Sequence, residues 1–235
     1  MAVMLYERAR FRLSGDRTLL VEYGDGIDLA VNEKVRAMTA LLRRALPAGV
    51  EEIVPAYRSL AICYDPLATS PARLAEILHA LETELLSASV AAFKVVSIPV
   101  CYGGEFGPDL GVVAEHTGLT EQEVIALHSS VNYPIYMIGF TPGFCYLGGL
   151  DSRLQTPRRK TPRTNLPAGS VGIAESQTGM YPVDSPGGWQ IVGRTPLLLF
   201  APARQNPFLY EAGDRIRFVP ISAAEFRRLQ EEEKS

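Results

Sequence analysis

Between Gly139 and Thr195 the chain reads GFTPGFCYLGGLDSRLQTPRRKTPRTNLPAGSVGIAESQTGMYPVDSPGGWQIVGRT, and more than a quarter of that stretch is Gly or Pro. So much Gly and Pro excludes long regular helices there and would, by itself, point to disorder. The same stretch carries Phe140, Phe144, Tyr146, Leu147, Tyr181, Trp189 and Ile191, residue types in which disordered segments are poor. Turn formers and aromatics together predict ordered, irregular backbone held by a scaffold, the usual seat of binding residues.

The other segments show what that scaffold is. Residues 9–14 and 18–23 read as short strands about a turn at Gly15-Asp16. A helix follows over 32–45, with Val35, Met38, Leu42 and Ala45 at helical spacing and Pro47 and Gly49 to stop it. Residues 50–57 and 59–64 form a second strand pair. Ser70-Pro71 opens a helix burying Leu74, Ile77, Leu78, Leu81 and Leu85, and 93–100 returns as a strand. A leading strand followed by β-α-β-β-α-β is the order of a ferredoxin-like unit, which places a first α+β domain at 1–95. Two short helices come next, one capped by Asp109 and ending near Thr117-Gly118, the other opened by the Thr120/Glu123 capping box and running to His128. From 133 onward, short strands at 133–140, 168–174, 190–195, 197–201 and 214–221 predict a barrel or sandwich over 96–222. Residues 223–235 read as a short surface helix and a charged, solvated tail.

Composition removes several functions. A net charge of −3 with no basic stripe argues against nucleic acid. Cys63, Cys101 and Cys145 are far apart and in no CxxC arrangement, so neither a disulfide framework nor a structural metal site is expected. No apolar run is long enough to span a bilayer, and the N-terminus lacks the pattern of a signal peptide; a soluble, cytoplasmic chain is expected. No Walker loop, GxGxxG, HExxH or GxSxG motif is present.

Candidate binding residues cluster in two loops. Arg158, Lys160, Thr161, Arg163 and Thr164 lie between and beside Pro157 and Pro162, which hold the loop extended and lower its entropy before binding; arginines there can grip a carboxylate or phosphate through paired hydrogen bonds. The plain alternative is a solvated basic loop. Gln177 and Tyr181 offer amide and phenol groups to a small polar ligand, or belong to a turn around Gly179. Trp189 reads as a buried wall, with Phe144 and Tyr146 at a pocket edge. Glu105 and His128 are the acid–base candidates, although His128 can simply complement its helix dipole. Asp109 reads first as a cap, and Cys145 as a nucleophile only if a base lies nearby.

Several segments together carry a family resemblance: IVPAYRSLAICYDP (53–66), IPVCYGGEFGPDL (98–110), LHSS (127–130), GFTPGFCYLGGLD (139–151), TPRRKTPRTNLPAGSVGIA (156–174), QTGMYPVDSPGGWQIVGRTP (177–196) and GDRIRFVPI (213–221). The chain resembles the family of 5-oxoprolinase B subunits, also called Kip inhibitor and allophanate hydrolase subunit 1, from about residue 5 to 222. Cys145 stands where many relatives have Pro. The resemblance implies an N-terminal α+β domain and a C-terminal cyclophilin-like β-barrel. It implies work with C and A subunits in the ATP-dependent conversion of 5-oxo-L-proline to L-glutamate, without showing that this chain binds ATP. Such a site must hold a small anionic substrate, for which Arg158, Thr161, Arg163, Gln177 and Tyr181 are of suitable type. Two other branches of the resemblance imply inhibition of a sensor histidine kinase by direct binding, or a carboxyltransferase-type role in urea degradation.

Overall fold

The structure is a computed structural model and describes residues 3–85 and 93–233. It divides into two units, Met1–Ala92 and Phe93–Ser235.

In the first unit, β1 (Leu5–Leu13), β2 (Thr18–Gly24), β3 (Val50–Pro55) and β4 (Ser59–Tyr64) form an antiparallel sheet in the order β1-β2-β4-β3, accompanied by α1 (Leu29–Arg44) and α2 (Pro71–Leu85). α1 begins earlier than its apolar spacing predicts because the Asp28 side chain accepts from the Ala30 N–H and caps it. Val35, Met38 and Leu42 of α1 and Leu74 and Leu78 of α2 are fully buried against Leu19, Val21, Leu60 and Ile62 of the sheet. Such side chains each contribute about 1.5–3 kcal/mol on burial.

The sequence order puts residues 93–100 at the end of this first sheet, and here the structure corrects it. β5 (Val95–Tyr102) belongs to the second unit's sheet, and β1 takes the edge beside β2 that a returning strand would fill. Ile98 and Val100 of β5 are fully buried in the second core, and β5 pairs parallel with β13 (Arg215–Pro220) from Val95↔Arg215 to Val100↔Pro220.

The remaining elements of the second unit are α3 (Leu110–Thr117), α4 (Glu121–Ser129), β6 (Asn132–Ile138), β7 (Cys145–Leu147), β8 (Arg163–Leu166), β9 (Ser170–Ala174), β10 (Gln177–Met180), β11 (Ser185–Gly187), β12 (Gln190–Arg194) and α5 (Ala223–Glu232). Seven strands run in the order β10-β9-β12-β5-β13-β6-β7, and the outer strands β10 and β7 approach each other, so the sheet nearly closes into a barrel. β8 and β11 form a separate ribbon. The expected capping box at Thr120/Glu123 is present. The expected strand at 197–201 is absent: apart from a single bridge, Phe200 to Phe208, that segment is loop, as its flanking Pro196 and Pro202 supply no ladder donors. The tail is not wholly solvated, since α5 buries Phe226 against Phe106 with ring centroids 4.4 Å apart. Among the described residues, no helix is long and apolar enough to cross a membrane.

Candidate functional site

Beside the barrel core the second unit holds a smaller apolar cluster: Phe144, Leu166, Ala174, Tyr181, Trp189 and Ile191, with Tyr146 packed on it. Phe144 is its hub. Its ring meets Tyr146, Tyr181 and Trp189 edge to face at centroid distances of 5.1, 5.7 and 5.8 Å, the arrangement that aromatic quadrupoles favour. Gly187 makes room for this packing, because a Cβ there would lie 2.5 Å from the Tyr181 hydroxyl oxygen. The three expected wall residues are thus brought together with Tyr181. Phe144 is not at an exposed edge, however; it is buried, and Phe140, four residues earlier, is the exposed ring.

Arg158 lies exposed over this wall, its guanidinium carbon 5.8 Å from the Trp189 ring, within cation–π range. Burial raises the pKa of the Tyr146 and Tyr181 phenols, and the Arg158 charge acts on both in the opposite direction. The Arg158 charge is thus felt by both phenols of the cluster. Arg158 has no carboxylate partner among the described residues.

The loop that carries Arg158 is pinned by Asp109. Its carboxylate is 2% exposed and accepts from Arg159 Nη1 at 2.8 Å, from Arg163 Nη1 and Nη2 at 2.7 and 2.8 Å, and from the Ile191 N–H at 2.8 Å. Asp109 stands at the N-cap position of α3 but makes no side-chain cap bond, so the expected cap is instead a long-range anchor. Burial alone would raise its pKa; the Arg163 and Ile191 hydrogen bonds and the two arginine charges overcome that and hold it low. Gly107 lets the preceding loop press onto β12, since a Cβ there would lie 2.0 Å from the Val192 carbonyl oxygen. The Arg159 N–H donates to the Gly188 carbonyl at 2.8 Å and Gln190 Nε2 to the Pro157 carbonyl at 2.9 Å, which completes the brace.

The other expected residues lie elsewhere. Arg163 is committed to Asp109. Thr161 is exposed on the braced loop, and Gln177 begins β10, half-buried. Glu105 is exposed and pairs with Arg227 at 3.4 Å. His128 is fully buried and stacks on Phe218 at 4.6 Å. The Thr178 hydroxyl donates to the Gly172 carbonyl, so it accepts from His128 Nε2 at 2.8 Å, and Nδ1 then accepts from the Tyr102 hydroxyl at 2.8 Å. Burial lowers the His128 pKa to about 3, leaving a neutral ring with both nitrogens engaged. The Cys145 thiol is also sealed in the core, and burial pushes its pKa to about 12, far from a thiolate. Sequence reasoning missed Asp109 and Arg159 as partners. The one available signal was an acid in a Gly/Pro loop and a basic loop fifty residues later.

A family model described as "Carboxyltransferase domain, subdomain C and D" matches residues 9–210. The 5-oxoprolinase B subunit of Bacillus subtilis is 42% identical over 93% of this chain and 95% of its own length. The chain belongs to the family of 5-oxoprolinase B subunits. A second member, from Escherichia coli O157:H7, is 42% identical over 91% of this chain and 97% of its own. Among solved structures, TTHA0988 is 38% identical with a TM-score of 0.77 over 88% of this chain; the chain spans only 40% of that one. This is the family that the motifs between 53 and 221 resemble.

Proposed function

We propose that the chain is the B component of an ATP-dependent 5-oxoprolinase, which with C and A subunits hydrolyses 5-oxo-L-proline to L-glutamate, and that it is inactive alone. The observation that carries this reading is Arg158: a cation with no carboxylate partner among the described residues, on a braced loop, over Trp189 of the cluster that also holds Tyr146 and Tyr181. The substrate has one carboxylate and one flat lactam. Arg158 takes the carboxylate through paired charge-assisted bonds, and the aromatic wall covers a face of the ring. Thr161, Gln177 and Tyr181 stay as substrate contacts. Arg163 becomes the residue that holds the loop. The ferredoxin-like description of the first unit and the cyclophilin-like description of the barrel accompany this reading.

ATP is assigned to a partner. The arginines best placed to grip phosphate, Arg159 and Arg163, are both taken by Asp109. No phosphoryl step is derived on this chain.

One observation also favours a binding role. Phe140 is 71% exposed, and the turn beside it is apolar: a Cβ on Gly143 would lie 3.1 Å from the Phe200 Cβ, and Phe200 stacks on Phe208. Such an edge suits a partner subunit, or the helices of a sensor histidine kinase in the alternative reading.

The test is reconstitution with the C and A subunits and measurement of ATP-dependent glutamate release, omitting each component in turn. Full turnover without this chain ends the proposal. Arg158→Ala is expected to raise KM about tenfold with stability changed by less than about 0.5 kcal/mol; an unchanged KM removes the anion grip.

A further inference from the structure

The first unit carries a cleft that the reaction proposed above does not use. It encloses about 610 Å³, and its walls include Glu7 and Arg8 of β1, Tyr23 of β2, Lys34 of α1, and His79 and Glu82 of α2. It forms where the register of β1 against β2 breaks, between Leu5 and Arg10. There, helix side chains bind the strand's backbone: Lys34 Nζ donates to the Tyr6 carbonyl at 3.1 Å, and the Ala9 N–H donates to Glu82 Oε1 at 2.9 Å.

Three features set the chemistry of the cleft. The Lys34 ammonium is half-buried, has no carboxylate partner among the described residues, and keeps two protons to donate. The Glu82 carboxylate is 19% exposed, with its second oxygen 3.2 Å from His79 Nδ1. Tyr23 is 1% exposed and its hydroxyl has no hydrogen-bond partner among the described residues, an uncommon state for a buried polar group. A lone anion entering the cleft would meet Glu7 and Glu82; a lone cation would meet Arg8 and Lys34. A molecule carrying both charges satisfies both sides.

We propose that this cleft binds a free α-amino acid, with its carboxylate on Lys34 and Arg8 and its ammonium on Glu82, beside the sealed Tyr23 hydroxyl. The proposal is independent of the enzymatic reading of the second unit.

Isothermal titration of the full chain with glycine, L-glutamate and L-glutamine tests it, with acetate and methylamine as single-charge controls. At least one amino acid is expected to bind with a Kd in the millimolar range or below, and neither control to match it. Lys34→Met is expected to weaken binding about tenfold or more, the loss of a charge-assisted hydrogen bond, and Arg158→Ala to leave it unchanged. If Lys34→Met does not fold by circular dichroism, Arg8→Ala, at an exposed position, decides the matter by the same loss. The proposal is overturned if no amino acid binds at roughly 10 mM. Equal binding of either control, or loss of binding in Arg158→Ala but not in the cleft variant, also overturns it.

Discussion

Among the described residues, each unit contains one buried carboxylate held by two arginines, and the two triads do different things. Glu22 accepts from Arg12 Nε at 2.6 Å and Arg58 Nη1 at 2.8 Å. Arg12 lies in β1, two residues past Arg10, the ladder partner of Glu22, and Arg58 immediately precedes Ser59, its partner in β4. Their side chains are 65% and 38% exposed, so solvent screens the triad. Asp109 instead gathers groups 50, 54 and 82 residues away, and its arginines are 31% and 26% exposed. The first triad reinforces pairings that the sheet makes anyway. The second holds a loop that no ladder holds, and that loop carries Arg158.

Replacing the two carboxylates is the strongest way to break this contrast. Asp109→Asn faces Arg159 and Arg163 with no counter-charge and is expected to cost about 3–5 kcal/mol, the usual penalty for breaking a buried pair. Chemical unfolding at neutral pH measures it, and a cost no larger than that of Glu22→Gln would erase the distinction.

The next effect separates the units by pH. His128 has an ordinary pKa of 6.5 when unfolded and stays neutral in the fold until about pH 3. Between those values the unfolded chain binds the extra proton, so the contribution is complete above 6.5 and is lost as pH falls, by about 1.4 kcal/mol per unit. His128→Gln should flatten that slope in urea titrations between pH 6.5 and 4. An unaltered slope would show that the ring is already charged in the fold. Asp109, with its pKa held low, loses its contribution only at more acid pH, as pH falls from the ordinary 3.8 through its folded value.

Glu22→Gln is expected to cost about 1–2 kcal/mol, because its arginines reach water and lose less when unpaired; a cost matching Asp109→Asn would mean that exposure does not separate the triads. The smallest effect concerns strain. Among the described residues, the non-glycine residues at positive φ, Phe140 (67°) and Glu175 (52°), both lie in the second unit. Phe140→Gly should stabilise the chain by about 1 kcal/mol while weakening co-purification with the partner subunits. Stabilisation with undiminished co-purification would separate the strain from docking.

Much of the fold was readable residue by residue. The helices announce themselves through apolar spacing and caps, as at Val35, Met38 and Leu42 or at Thr120 and Glu123, because those signals act within a few residues. Phe144, Tyr146 and Trp189 were grouped from their shared Gly- and Pro-rich stretch; that Tyr181, expected as a ligand contact, packs with them came from the structure. Residues 197–201 misled because an apolar run predicts burial as readily as it predicts a strand; Leu199 is buried, but from a loop.

The sequence by itself determined which segments become helices and short strands, which family the chain resembles, and which loops carry aromatic and basic side chains. Tertiary structure alone decided that β5 belongs to the barrel, that Asp109 anchors a loop instead of capping a helix, and that Arg163 rather than Arg158 is paired with it. Local propensities depend on neighbours a few residues apart. A carboxylate's choice among several arginines depends on which distant segments the nearly closed sheet brings to it, and on how far its burial excludes the water that would otherwise compete.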